Sequence, residues 1–141
     1  MGRINWGRVL LGGLVAGLVI NLGEFVLNGI LLRDDFATVM QDLGLDPEGA
    51  SIAVWVFYAF LFGITAVWMY AAIRPRFGAG PKTAVLAGLT VWFIQTFFST
   101  VAMLNMGLFP RSMLLLGLIW GLVEIVLATL LGASLYKESE A

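Results

Sequence analysis

The chain has no cysteine and no histidine, and charge is scarce: 8 Lys+Arg and 9 Asp+Glu among 141 residues. Without cysteine there are no disulfides, thiol nucleophiles or iron–sulfur ligands. Without histidine the commonest zinc and haem ligand, and the usual general base at neutral pH, are gone as well. A net charge of −1 leaves no basic surface of the kind nucleic acid demands. Soluble domains carry roughly 25% charged residues. This chain has 12%, with 60% hydrophobic residues and a mean hydropathy of +0.96, the balance of an integral membrane protein whose first partner is the lipid bilayer. Its length suits one transmembrane domain over residues 1–141.

What the chain does have is long apolar runs. About 20 such residues cross the hydrocarbon core as a helix, because only internal hydrogen bonds satisfy the backbone there. Four segments qualify, at about 9–32, 52–73, 83–104 and 113–136. An apolar run this long, interrupted by Glu24 and lacking an A-x-A site, is expected to stay as a span and not be cleaved as a signal peptide. Short connections at Phe77–Pro81 and Asn105–Arg111 make neighbouring helices antiparallel, so the fold class is all-α, an up-down-up-down four-helix bundle. Arg74-Pro75 is expected to close span two, and Asp46-Pro47-Glu48 to cap its start.

Arg3, Arg8, Arg74, Arg76, Lys82 and Lys137 fall on one side of such a bundle; Arg33 and Arg111 fall on the other, with Asp34, Asp35, Asp42, Asp46 and Glu48. The bias places both termini in the cytoplasm, with a bacterial inner membrane as the expected location. In the acidic external loop, Phe36, Val39, Met40 and Leu43 recur at i, i+3, i+4 and i+7, with Asp34 or Asp35 as cap and Gly44 as stop. This predicts a short amphipathic helix, lying on the interface or serving as a lid or docking surface.

Two spans carry a glutamate at bilayer depth, where an ionisable residue costs about 2.5–3.5 kcal/mol on insertion scales. At roughly 100° per residue, Gly17, Asn21, Glu24 and Asn28 share one face of span one. Gly117, Gly121, Glu124 and Ala128 repeat the spacing in span four, with Gly132 one turn further on, a shared packing-plus-carboxylate pattern and not a repeat unit. Span three adds Gln95 and Ser99, and span two adds Tyr58. Their depths overlap, which allows one buried cluster of Glu24, Asn21, Asn28, Tyr58, Gln95, Ser99 and Glu124. In a dry site both carboxyls could not ionise cheaply. The plainer reading makes these groups hydrogen-bonded glue between helices. Asn or Gln would serve as glue without an ionisation penalty, whereas Glu adds the capacity to take up and release a proton or cation.

Gly13 and Gly17, and likewise Gly117 and Gly121, have the spacing that lets helices pack closely in lipid. Trp6, Trp55, Trp68 and Tyr136 lie near span ends, as interfacial belt residues do. Trp120, one turn before Glu124, is read as packing or as an aromatic wall beside an acid.

Three functions compete. The first is a small proton- or cation-coupled carrier that titrates Glu24 and Glu124. The second is a non-catalytic subunit or assembly factor of a larger membrane complex. The third and least favoured is an enzyme: two carboxyls could in principle do acid–base work, but there is no nucleophile–base pair, metal cluster or phosphate loop, and no cofactor or metal is indicated. A homodimer or membrane-complex partners fit either of the first two. Four helices with a glutamate in span one and nearby aromatics look like the small multidrug-resistance transporters, which work as dimers. The second intramembrane acid and the long acidic loop depart from that pattern, and no residue role is carried over. Asn21-Leu22-Gly23-Glu24-Phe25-Val26-Leu27-Asn28 and Trp120-Gly121-Leu122-Val123-Glu124 give the whole chain the look of the small four-helix bacterial inner-membrane proteins, a resemblance that implies no activity.

Overall fold

The computed structural model describes residues 3–46 and 51–138. Five helices account for it: α1 (Trp6–Leu31), α2 (Arg33–Asp42), α3 (Ile52–Phe77), α4 (Pro81–Met106) and α5 (Arg111–Ser134), with no β-strand among the described residues. Four of them, α1, α3, α4 and α5, are long and apolar enough to cross a membrane. That composition and length are compatible with an integral membrane protein.

The packing follows from where small side chains sit. The core is made of Val9, Ala16 and Ile20 from α1, Ala59 and Val67 from α3, Ala84 and Ala87 from α4, and Ala128 and Ala133 from α5. Leu22, Phe25 and Ile119 are more than 60% exposed and face outward, which suits acyl chains. Lipid tails are as apolar as leucine, so close backbone contact, and not burial of large side chains, drives helices together in a bilayer. Accordingly α1 packs against α3 and α5, α4 against α3 and α5, and α3 touches α5.

Glycines make the tightest crossings. A Cβ on Gly63 of α3 would overlap the backbone of Gly13 and Gly17 on α1, and one on Gly132 of α5 would overlap the Gly12 carbonyl. Gly13 and Gly17 therefore lie at a helix contact, and Gly121 lies against Thr96 and Trp92 of α4. Gly117 does not serve that use: nothing lies within 4 Å of where its Cβ would stand. On α5 the closest approach to α1 runs through Gly132, four turns further on.

Two helices contain a wide turn closed by i→i+5 bonds. The Leu27–Leu31 turn ends α1, with the Leu32 N–H donating to the Leu27 carbonyl at 2.8 Å. The Phe93–Phe97 turn lies inside α4, with the Phe98 N–H donating to the Phe93 carbonyl. Such turns recur at functional sites.

Several helix ends differ from the sequence expectation. Arg74-Pro75 does not close α3. The helix runs on to Phe77, where Gly78 at φ 85° supplies the stop and its N–H donates to the Arg74 carbonyl at 2.8 Å. Pro75 removes only one bond so near the end. Asp34 and Asp35 lie in the first turn of α2 instead of capping it, because Leu32 alone separates the wide turn from α2 and leaves no loop to hold a cap. There they favour the positive end of the helix dipole. Gly44, at φ 70°, does end α2, with the Gly44 N–H on Gln41 and the Leu45 N–H on Met40, a Schellman closure. Pro47 and Glu48 of the expected cap before α3 lie outside the described residues.

Asn5, Tyr136, Arg74 and Gly80 meet at one end of the bundle. The Asn5 N–H donates to the Tyr136 hydroxyl at 3.3 Å, and the Gly80 N–H to the Tyr70 hydroxyl at 3.2 Å. Tyr70 and Tyr136 stack edge to face at 5.9 Å, and the Arg74 guanidinium lies 5.5 Å from the Tyr136 ring centre and 3.6 Å from Glu138. Tyr136 is thus 5% exposed and part of this knot, not a belt residue, while Trp6 and Trp55 stay largely exposed.

Candidate functional site

Glu124 stands in the second half of α5 and is 7% exposed. Its carboxyl lies directly against α1 at Gly23, where a Cβ would overlap Oε1, Cδ and Cγ of Glu124. Glycine at position 23 is therefore what admits the acid to the α1 surface. On the next residue of α1, half-buried Glu24 brings its own carboxyl within hydrogen-bonding reach of Glu124. Two carboxyls can share a hydrogen bond only if one carries a proton.

Each acid also has a nitrogen donor from its own helix. Asn28 Nδ2, one turn on from Glu24 and at the start of the wide turn, donates to Glu24 Oε2. Trp120 Nε1 donates to Glu124 Oε1 at 3.3 Å. Trp120 is thus a hydrogen-bonding neighbour of the acid, whatever its ring does. No three potential metal-ligating side chains gather in one place among the described residues.

The other sequence candidates are placed elsewhere. Asn21 ties α1 to α3, donating to the Gly17 carbonyl at 2.9 Å and the Val56 carbonyl at 3.3 Å. Gln95 Nε2 donates to the Tyr58 hydroxyl at 2.8 Å, linking α4 to α3. The Ser99 hydroxyl turns back onto its own helix, 2.6 Å from the Gln95 carbonyl. The polar residues therefore divide into a carboxyl pair between α1 and α5 and a Tyr58–Gln95 pair between α3 and α4.

Two residues that matter to this geometry, Gly23 and Gly12, were not singled out from spacing. Gly23 lies off the Gly17–Asn21–Glu24–Asn28 stripe, and its only sequence signal is adjacency to Glu24. Gly12 meets Gly132, which continues the span-four stripe one turn beyond Ala128, and seals the α1–α5 contact toward the start of α1, away from the acids. Trp92 also links helices, its indole N–H reaching the Leu118 carbonyl at 3.1 Å.

On the apolar face expected for α2, Val39 is buried, Phe36 and Met40 are half-buried and Leu43 is exposed.

No protein-family model, curated protein or solved structure matches this chain.

Proposed function

We propose that the protein is a small polytopic membrane carrier in which Glu24 and Glu124 bind and release a proton or cation. One observation carries the reading: acids from two helices 100 positions apart reach a single site, where glycine clears the space and each acid has its own N–H donor. Two ionisable groups brought together at bilayer depth by a built contact exceed what helix adhesion needs. In this arrangement Asn28 and Trp120 orient the acids. Asn21, Tyr58, Gln95 and Ser99 support the helix contacts from outside the pair.

In the same reading the helices alternate up and down. Both termini and the Arg74–Lys82 turn face the cytoplasm of a bacterial inner membrane, since six of the eight basic residues lie on that side. The short helix α2 is the amphipathic cover of the outer mouth. The competing subunit reading draws in part on a docking face on α2, of which Val39 is buried, Phe36 and Met40 are half-buried and Leu43 is exposed.

Reconstitution into liposomes under an imposed proton or sodium gradient, with an internal pH or sodium dye, tests the proposal. Wild type is expected to move one of the two ions, and Glu24→Gln and Glu124→Gln each to lose at least tenfold in flux while eluting as folded protein. Flux that survives in both Gln variants, or wild-type vesicles as tight as empty ones, would overturn it.

A further inference from the structure

We propose that the hollow between α3 and α4 binds a neutral, lipid-soluble molecule through a carbonyl oxygen, independently of the carboxyl pair. The hollow has a volume of about 240 Å³ and is lined by Tyr58, Phe62, Thr65, Met69, Ile94 and Gln95, together with Leu61 and Val91. That is below the roughly 300–1,000 Å³ of a drug-sized site, so it takes a ring or a few methylene units and leaves any longer tail in the bilayer. No charged residue lines it, which disfavours an ion in a medium that does not screen charge.

Its hydrogen-bonding chemistry is confined to one end. The Thr65 hydroxyl donates to the Leu61 carbonyl at 2.8 Å and has no proton left to offer. Gln95 spends one N–H on the Tyr58 oxygen. Because Tyr58 accepts there, its own O–H proton is free, and Gln95 keeps a second N–H. Two donor hydrogens on bonded neighbours are thus left among the residues lining an apolar hollow, where a carbonyl oxygen can accept them.

The depth of this end makes the unused donors costly. At about 1.5 Å per residue, Tyr58 lies roughly 9 Å in from the start of α3 at Ile52, within the hydrocarbon. A polar hydrogen left without an acceptor there costs on the order of a few kcal/mol. The protein nonetheless holds both groups in place. The Tyr58 ring is braced by Phe62 at 5.4 Å and Trp55 at 6.3 Å, and Gln95 is presented by the wide turn Phe93–Phe97. A wide turn places one extra residue in the helical circuit, and here that turn carries the amide.

Two sources share this chemistry, a quinone ring and an acyl ester, and separate probes distinguish them. The full chain in nanodiscs of ether-linked lipid, which has no ester carbonyl of its own, is titrated with a decyl-tailed benzoquinone and, in parallel, with methyl laurate. Both probes carry a ¹³C-labelled carbonyl, and bound ligand is read by equilibrium dialysis and by the infrared carbonyl band. At least one probe is expected to bind saturably with its carbonyl band shifted to lower frequency. Binding should weaken tenfold or more in Gln95→Leu, and by roughly a factor of three to ten in Tyr58→Phe. Ile94→Trp, which fills the hollow and leaves the polar pair intact, should abolish it, and the lipid-facing Leu131→Ala should not change it. Absence of saturable binding by both probes overturns the proposal. So does binding that persists at wild-type strength in folded Gln95→Leu or Ile94→Trp protein.

Discussion

The contact between α1 and α5 and the contact between α3 and α4 hold similar polar chemistry but close around it differently. Between α1 and α5, Gly12, Gly132 and Gly23 bring backbone or carboxylate where side chains would otherwise stand, and Glu124 ends up 7% exposed. Between α3 and α4 the hollow is lined by the large side chains Leu61, Phe62, Met69 and Ile94 with no glycine among them, and Tyr58 stays 44% exposed. In a bilayer, then, the placement of glycine decides which polar groups are sealed inside the protein and which are offered to lipid-borne molecules. Glycine has no side chain to remove from water, so its effect is purely one of approach distance.

The comparison breaks most severely where backbone meets backbone. Gly63→Leu places a side chain on the backbone of Gly13 and Gly17, atoms that can yield only if α1 and α3 separate. Overpacking of a side chain typically costs about 1–3 kcal/mol, and with no flexible neighbour to give way the upper end or beyond is expected. Gly117→Leu enters open space and should change stability by no more than about 0.5 kcal/mol. Unfolding of both variants in mixed micelles checks the pair. Equal losses would mean that these contacts do not set the closure.

A smaller and more local break comes from Gly23→Ala. One methyl group is enough to overlap the Glu124 carboxyl, and α1 has little room to move because Gly12, Gly13 and Gly17 fix it against α5 and α3. The acid must rotate away from its place against Gly23, so the two carboxyls separate while the helices stay packed. The infrared band of a hydrogen-bonded carboxylic acid, identified by its disappearance in Glu124→Gln, should be shifted or absent in Gly23→Ala. Ion flux should fall at least tenfold, with a stability change of about 1–2 kcal/mol. An unchanged band in Gly23→Ala would remove glycine from its role in admitting the acid.

How much of this was legible in the sequence depends on what each signal measures. The four long helices followed from apolar run length, which directly reflects the thickness of hydrocarbon a helix must cross. Gly44 and Pro81 marked helix ends because their backbone preferences are local. Pro75 misled for the same reason: near a C-terminus one missing bond is tolerable, and the stop is set three residues past it, by Gly78. The polar residues were legible as a group but not as pairs. Spacing assigns a residue to a helix face, whereas its partner depends on how neighbouring helices are rotated and tilted. Asn21 faces the Val56 carbonyl and Gln95 faces Tyr58, so a single cluster inferred from depth divides into two. The wide turn at Phe93–Phe97 adds to this, since it changes the angular position of Ser99 and everything beyond it in α4 and has no compositional mark.

The smallest expected effect separates the two tryptophan donors. Trp120 and Trp92 each give one indole N–H, the first to the Glu124 carboxyl at 3.3 Å and the second to the Leu118 carbonyl at 3.1 Å. Phenylalanine keeps most of the apolar ring and removes only the donor. A backbone carbonyl inside a helix already accepts an intrahelical bond, so losing a second donor leaves it satisfied, and Trp92→Phe should cost about 0.5 kcal/mol. The Glu124 carboxyl is only 7% exposed, and bonds to groups that bear or share charge are roughly twice as strong. Trp120→Phe should therefore cost about 1–2 kcal/mol and move the carboxylic acid band. Distance alone predicts the opposite order, because the Trp92 bond is the shorter. Measured stabilities that follow distance would mean that the site between α1 and α5 is no drier or more polarised than the ordinary helix contact between α4 and α5.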